Sequence, residues 1–360
     1  MSGNAANGLT GDVDASRSGQ IPAHALAKSP GENRGMKPTD IANPDYFHKV
    51  VDCQWACPAH TPVPEYIRLI AAGRYADAYM INWESNVFPG VLGRTCDRPC
   101  EPACRRGRVE EINKGAQPVA ICRLKRVAAD HKGDVKSRLP QPAGTKNGKR
   151  VALIGAGPAS LTVARDLLPL GYTCVLYDQD PNAGGMMRTQ IPKFRLPETV
   201  LDEEVNYILD LQPELRLGKR VDSMKAILAE GYDAVFVGCG APRGRELDIP
   251  GRKEAAANIH IGIDWLSSVS FGHTTKIGKR VIVLGGGNTA MDCCRTSRRL
   301  GGDDVKVVVR SGFEEMKASP WEKEDAMHEG IPIFNFLVPK EFTHDRGKLT
   351  GVTFEKVKAV

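Results

Sequence analysis

Residues 150–178 read RVALIGAGPASLTVARDLLPLGYTCVLYD, and the order of residue types in this stretch decides the fold. Val151 to Ile154 is an apolar run of strand character, and Gly155, Gly157 and Ser160 follow at the spacing of a dinucleotide fingerprint, with Pro158 and Ala159 between them. Gly155 allows a tight turn. Gly157 has no side chain to block a pyrophosphate, so backbone N–H groups at the start of the next helix face an anion. Apolar residues at helical spacing from Leu161 to Leu168 predict that helix, Gly171 its end, and Cys174 to Tyr177 a second strand. Asp178 closes the unit about twenty residues past the glycines, where a carboxylate accepts ribose hydroxyls. A lone glycine pattern is a common turn in any α/β protein, whereas strand, turn, helix, strand and acid in sequence specify a nucleotide-binding βαβ unit. Ser160 stands where a third glycine would allow the closest strand–helix contact.

The remainder of the chain fits an enzyme of several domains. Its 360 residues suffice for two or three cores, and 41% hydrophobic residues, 26% charged residues and a net charge of +6 are ordinary and too diffuse to argue for nucleic acid. No apolar run reaches membrane-spanning length and no leader-like segment opens the chain, so the reading is cytoplasmic, with no membrane. Residues 1–40 are rich in Gly, Asn, Ser, Asp and Pro without apolar periodicity, and read as an arm that is either free or ordered by a partner.

Six of the ten cysteines, Cys53, Cys57, Cys96, Cys100, Cys104 and Cys122, fall between Asp52 and Asp130, several beside proline. Clustering without a secretory signal favours metal or cluster ligation over disulfides. PEYIRLIAAGRYADAYMIN, interrupted by Gly73, predicts two short helices folding the cysteine groups toward each other. Thiolates in tight Pro- and Gly-containing turns are the usual iron–sulfur ligands. Zinc is an alternative but wants paired C-x-x-C knuckles, and this chain offers C-x-x-x-C; a domain that keeps the fold and has lost its cluster is the third reading. Cys122 lies within the helix-like AICRLKRVAAD and reads as a packed core cysteine.

A second strand–turn–helix unit follows at KRVIVLGGGNTAMDCCRTSRRLG. Val281 to Leu284 is its strand, Gly285, Gly286 and Gly287 its turn, and Asn288 to Leu300 its helix. The adjacent Cys293 and Cys294 point to different faces of that helix and lack a C-x-x-C partner, which argues against a catalytic dithiol.

The string from CQWACPAH to CEPACRRG, residues 53–107, resembles the N-terminal iron–sulfur domain of the glutamate synthase small-subunit family, also found at the front of dihydropyrimidine dehydrogenase; the resemblance continues through both glycine units. It implies an α/β fold in which an N-terminal α-helical iron–sulfur domain precedes two Rossmann-like domains, the first for FAD and the second for NAD(P). The expected boundaries are 1–40 for the arm, 41–135 for the iron–sulfur domain, 136–148 for a linker, 149–256 for FAD, 257–345 for NAD(P), and 346–360 for a strand returning toward the flavin domain. Family members commonly hold two 4Fe-4S clusters using a further upstream cysteine pair. That pair is absent, so the resemblance implies one cluster at most, held by Cys57, Cys100 and Cys104 with Cys96 or Cys53. The segment PNAGGMMRTQIPKFRLP, with Gly184, Gly185, Met186 and Arg195, resembles the one laid along the flavin ring. YDAVFVGCGAPRG resembles the second flavin-contacting strand, expected to be buried, with Cys239 in place of the usual Thr before Gly240.

The resemblance assigns Gly285, Gly287, Asn288, Thr289 and Ala290 to the nicotinamide nucleotide. Arg310 ends VKVVVR where an NAD-selective site usually has an acid; two adjacent arginines mark NADP preference in the family, and Ser311 holds the second place, so preference stays open. Glu322 is expected on the exposed, nicotinamide-facing side of the next helix. No segment supplies the family's late Gly-Asp, so the flavin domain reads as incomplete at the C-terminus. The implied function is an FAD-dependent NAD(P)H oxidoreductase subunit exchanging electrons with an iron–sulfur or metal-cofactor oxidoreductase partner in a hetero-oligomer. Alternatives are the glutamate synthase small subunit itself and a non-catalytic scaffold. The cofactors carry the chemistry, so no catalytic side chain is assigned.

Overall fold

The computed structural model describes residues 51–108, 115–241 and 243–358; the arm at 1–40 lies outside the described residues. Among the described residues five α-helices come first: α1 (Asp52–Ala56), α2 (Val63–Ala71), α3 (Tyr75–Asn86), α4 (Pro89–Thr95) and α5 (Ile121–Asp130). Val63, Tyr66 and Leu69 recur along one face of α2 and are buried with Ala78, Cys100, Ile121 and Ala128. Gly73, at φ +72°, turns the chain between α2 and α3 where a side chain would be strained. In α4, a Cβ on Gly93 would stand 2.8 Å from the backbone of Arg126, so this glycine sets how closely α4 and α5 pack.

β1 (Arg150–Ile154), α6 (Pro158–Leu167) and β2 (Thr173–Tyr177) form the first nucleotide-binding unit. The chain continues through α7 (Met186–Thr189), α8 (Glu198–Leu209), β3 (Glu214–Arg216), α9 (Met224–Leu228) and β4 (Ala234–Val237). All pairings are parallel and the strand order is β3-β2-β1-β4. Val151, Leu153, Cys174 and Leu176 face α6 and α8, whereas Ala152, Ile154, Val175 and Tyr177 face Ile227 of α9. Burial on both faces is why β1 and β2 read as unbroken apolar runs. β4 departs from the expectation of a buried strand. It is the edge of the sheet, and Val237 is 58% exposed.

A second parallel sheet, order β5-β6-β7, is built from β5 (Arg280–Leu284), β6 (Asp304–Val308) and β7 (Ile333–Phe334), with α10 (Gly262–Ser270), α11 (Asn288–Arg299) and α12 (Pro320–His328) against it. The C-terminal stretch forms an antiparallel hairpin of β8 (Leu337–Asp345) and β9 (Lys348–Lys356), and Phe342 N–H donates to the Pro250 carbonyl at 2.9 Å. β9 thus pairs with β8 and not with the first sheet. Among the described residues no helix is long and apolar enough to cross a membrane.

Candidate functional site

The first glycine turn lies at the C-terminal end of β1, where parallel sheets place their ligands. Gly155 adopts φ +97°, and its N–H donates to Tyr177 O at 2.7 Å. A Cβ here would fall 2.6 Å from Gly238 O and 2.9 Å from Cys239 Cα, so the turn is wedged against the end of β4. Gly157 caps α6 in extended conformation, and Pro158, which has no N–H, leads Ala159 and Ser160 into the first helical turn, where N–H groups have no intrahelical acceptor. Asp178 supports the turn itself, since its Oδ2 accepts Ala156 N–H at 2.6 Å and its Oδ1 accepts Asp180 N–H at 2.9 Å.

Sequence reasoning missed how the chain absorbs Ser160. Its hydroxyl is fully buried without a hydrogen-bond partner, and a Cβ on Gly238 would stand 2.4 Å from it. The close contact usually allowed by a third glycine in the fingerprint is therefore provided by Gly238, directly after the neighbouring strand β4. Gly184 and Gly185 lie directly on the turn: Gly184 N–H donates to Ala156 O at 2.9 Å, and a Cβ on Gly185 would be 2.7 Å from Gly157 Cα. Met186 is 52% exposed beside them, and Cys239 and Gly240 are exposed at the end of β4. Exposed apolar side chains around a backbone-only cradle suit a planar ring joined to a diphosphate.

Arg195 is positioned differently. One guanidinium nitrogen bridges both carboxylate oxygens of Asp292 at 2.8 Å, and the other meets Glu322 at 2.8 Å. Glu322 is correspondingly buried, 4% exposed, which corrects its expected exposed position. Arg195 and Arg295 both reach it, Arg295 at 3.0 Å, and the helix turns that side inward to satisfy two cations. Arg295 and Arg299 also stack on Phe194, 4.9 and 3.9 Å from the ring centre. Segment 194–195 is thereby clamped to α11 and α12. Cys293 and Cys294 are buried with thiols donating to backbone carbonyls, and burial pushes the Cys294 thiol up to about 12.

At the second turn Gly285 adopts φ +133° and its N–H donates to Val308 O at 3.0 Å. Gly286 carries the packing, since a Cβ would lie 2.8 Å from Val309, whereas Gly287 faces open space. Thr289 is exposed, Ala290 is buried against the sheet, and Arg310 is exposed at the end of β6. The Asn288 side chain ties the turn to α12: its Oδ1 accepts Ser319 N–H at 2.8 Å, and its Nδ2 donates to Asp97 Oδ1 at 3.2 Å.

Asp97 belongs to the cysteine loop. Cys53 sits in α1, Cys57 and Cys96 cap α1 and α4, and Cys53, Cys100 and Cys104 share one core. Burial raises the Cys53 and Cys100 thiols, Cys104 adding to the first and Cys96 and Cys57 to the second. Cys96 has its thiolate favoured by the neighbouring Cys122 side chain first, with Lys125 and the Arg98 N–H at 3.3 Å assisting against burial. The Cys122 thiol and the Cys96 N–H also share the Leu92 carbonyl, at 3.2 and 3.1 Å. Lys125, one turn after Cys122 on the same face of α5, is 5% exposed, and its charge acts on Cys96, Cys100 and Cys122. A buried cation among thiols fits an anionic, thiolate-ligated cluster. The C-x-x-K spacing within α5 was the signal for this pair.

Residues 47–136 match the family described as dihydropyrimidine dehydrogenase domain II, 4Fe-4S cluster, and residues 149–360 match the pyridine nucleotide-disulphide oxidoreductases. Relatives include the NADP(+)-dependent formate dehydrogenase subunit beta of Moorella thermoacetica, 35% identical over 93% of this chain and 48% of that protein. The NADPH-Fe(3+) oxidoreductase subunit beta of Geobacter sulfurreducens is 34% identical over 87% of this chain and 48% of its own length. The glutamate synthase [NADPH] small chain of Escherichia coli is 33% identical over 83% of this chain and 65% of its own. The chain spans about half the length of the first two relatives.

Proposed function

The chain belongs to the pyridine nucleotide-disulphide oxidoreductase family and carries a dihydropyrimidine dehydrogenase-type 4Fe-4S domain ahead of it, and from that premise we propose that it moves electrons between NAD(P)H and a partner oxidoreductase subunit. The observation that carries this reading is the docking of the cysteine loop on the second glycine turn, with segment 194–195 of the first nucleotide-binding domain clamped to the same helix through Arg195. Bound FAD would accept a hydride and release electrons singly, and a 4Fe-4S cluster would carry them onward.

The protein's own part is binding, orientation and water exclusion. Gly155, Gly157, Pro158, Ala159, Ser160, Asp178, Gly184, Gly185, Met186, Cys239 and Gly240 line the FAD site, with Arg195 fixing the segment beside it. Gly285, Gly287, Asn288, Thr289 and Ala290 take the nicotinamide nucleotide. The exposed Arg310 suits a 2′-phosphate, in keeping with the NADP-linked names of the relatives. Cys53, Cys57, Cys96, Cys100 and Cys104 are the candidate cluster ligands, and free cysteines at these positions suit the reducing cytoplasm. The partner's class is an oxidoreductase subunit, because the relatives are named as beta or small chains.

Anaerobic visible spectroscopy with iron analysis tests the assignment. NADPH is expected to bleach flavin bands near-stoichiometrically, with NADH slower. Cys100→Ser is expected to remove most of the iron while FAD stays bound. A protein that binds neither flavin nor iron sinks the reading.

A further inference from the structure

Cys96, Asp97 and Arg98 attach to the nucleotide domain by two side chains and supply one backbone contact to a sulfur. Asp97 Oδ1 accepts from Asn288 Nδ2 at 3.2 Å and from Ser319 Oγ at 3.1 Å, so a carboxylate is held by the first residue of α11, the one that follows the open Gly287. The Arg98 guanidinium lies 3.9 Å from the centre of the Trp321 ring in α12, and its Nε is buried without an acceptor. The Arg98 N–H donates to Cys96 Sγ at 3.3 Å.

We propose that Asp97 is the positioning residue through which occupancy of the second glycine turn reaches the cysteine loop. A dinucleotide diphosphate attracted to the same helix N-terminus competes with Asp97 for it, because two anions at one site repel and the Asn288 amide and Ser319 hydroxyl serve only one of them well. When the nucleotide enters, Asp97 withdraws, and the adjoining Cys96–Arg98 peptide shifts with it. Hydrogen bonds to ligating sulfurs tune a cluster's electronic state, so the N–H···S contact of Cys96 reports the event. By linkage, the redox state of the cluster then alters nucleotide affinity by the same factor. The inference rests on the proposed function and specifies a regulation of its two sites.

The test uses the full-length holoprotein, reduced with dithionite, and 2′-phospho-ADP-ribose, which has the diphosphate and lacks the redox-active ring. In the wild type, saturating ligand is expected to shift the g-values or linewidth of the cluster's EPR signal. In Asp97→Ala the ligand is expected to bind about fivefold tighter, because the competing anion is gone, and the EPR shift is expected to vanish. Asp97→Asn, which keeps the acceptor oxygen, is expected to regain the shift while binding tighter than wild type. Asp97 is exposed, and matching thermal unfolding of the three proteins excludes a folding defect. An unchanged wild-type signal with ligand bound overturns the inference alone, as does an Asp97→Ala affinity within twofold of wild type. Absence of iron or of nucleotide binding overturns the functional reading and this inference together.

Discussion

Replacing Glu204 with alanine is expected to lower the stability of the chain by about 3–5 kcal/mol, because three donors lose their acceptor and a buried volume is emptied. Glu204, on α8 of the flavin-type domain, is 1% exposed. It accepts the Tyr79 hydroxyl at 2.9 Å, Gly90 N–H at 2.7 Å and Val91 N–H at 3.0 Å. The two amides open α4, so this carboxylate caps a helix of the cysteine domain from across the interface. Burial outweighs the three donors and raises its pKa from 4.5 to about 7. The sign follows directly: the folded state holds a proton that the unfolded state releases between those values. Glu204's contribution is therefore fully present below about pH 4.5 and is lost as pH rises through about 7. Glu204→Gln keeps the volume and two acceptor contacts but aims an NH2 at a donor, at a cost of about 1–3 kcal/mol. It should also flatten the stability profile between those pH values. Thermal unfolding of both variants across pH 4–8 checks this, and a Gln variant with the wild-type slope would assign the titration elsewhere.

What could be read from the chain alone depended on how local each cause was. Gly155, Gly171 and Gly285 were legible because a positive φ at a turn is demanded by the few residues around it. The strands and helices of the two glycine units were legible for the same reason, as each period is written within one element. Glu322 was not. Its burial comes from Arg195 and Arg295, one of them from another domain, and helical spacing does not carry the identity of a distant partner. β4 misled in the opposite direction: Val235, Phe236 and Val237 read as a buried run, but no strand lies beyond the edge to cover Val237 among the described residues. Ser160 shows a third kind of limit. The departure from glycine was visible, but the compensating Gly238 lies far along the chain and meets it only through the pairing of β4 with β1.

Three alanine substitutions separate the folding role of the glycines from their ligand role. Gly155→Ala combines a left-handed φ of +97° with a Cβ 2.6 Å from Gly238 O, and neither neighbour is a side chain that can rotate away. The expected result is a loss of order 3 kcal/mol in stability together with loss of FAD, because the turn has to open before the methyl fits. Gly157→Ala is different. Its φ of −81° suits any residue, and the nearest atom to the new Cβ is Gly185 Cα at 3.8 Å, an ordinary contact. This variant should fold with near-wild-type stability and still purify with little flavin, since the methyl occupies the approach of the diphosphate to the backbone. Gly287→Ala, at φ −100° with nothing within 4 Å, should likewise fold and retain FAD, while its Kd for NADPH rises at least about tenfold. Flavin content from the visible spectrum, unfolding temperature and NADPH titration, taken on all three, give a pattern in which the first loses stability and flavin, the second flavin alone, and the third only nucleotide affinity. Full flavin in Gly157→Ala, or unaltered NADPH binding in Gly287→Ala, would mean that the diphosphate does not approach that turn.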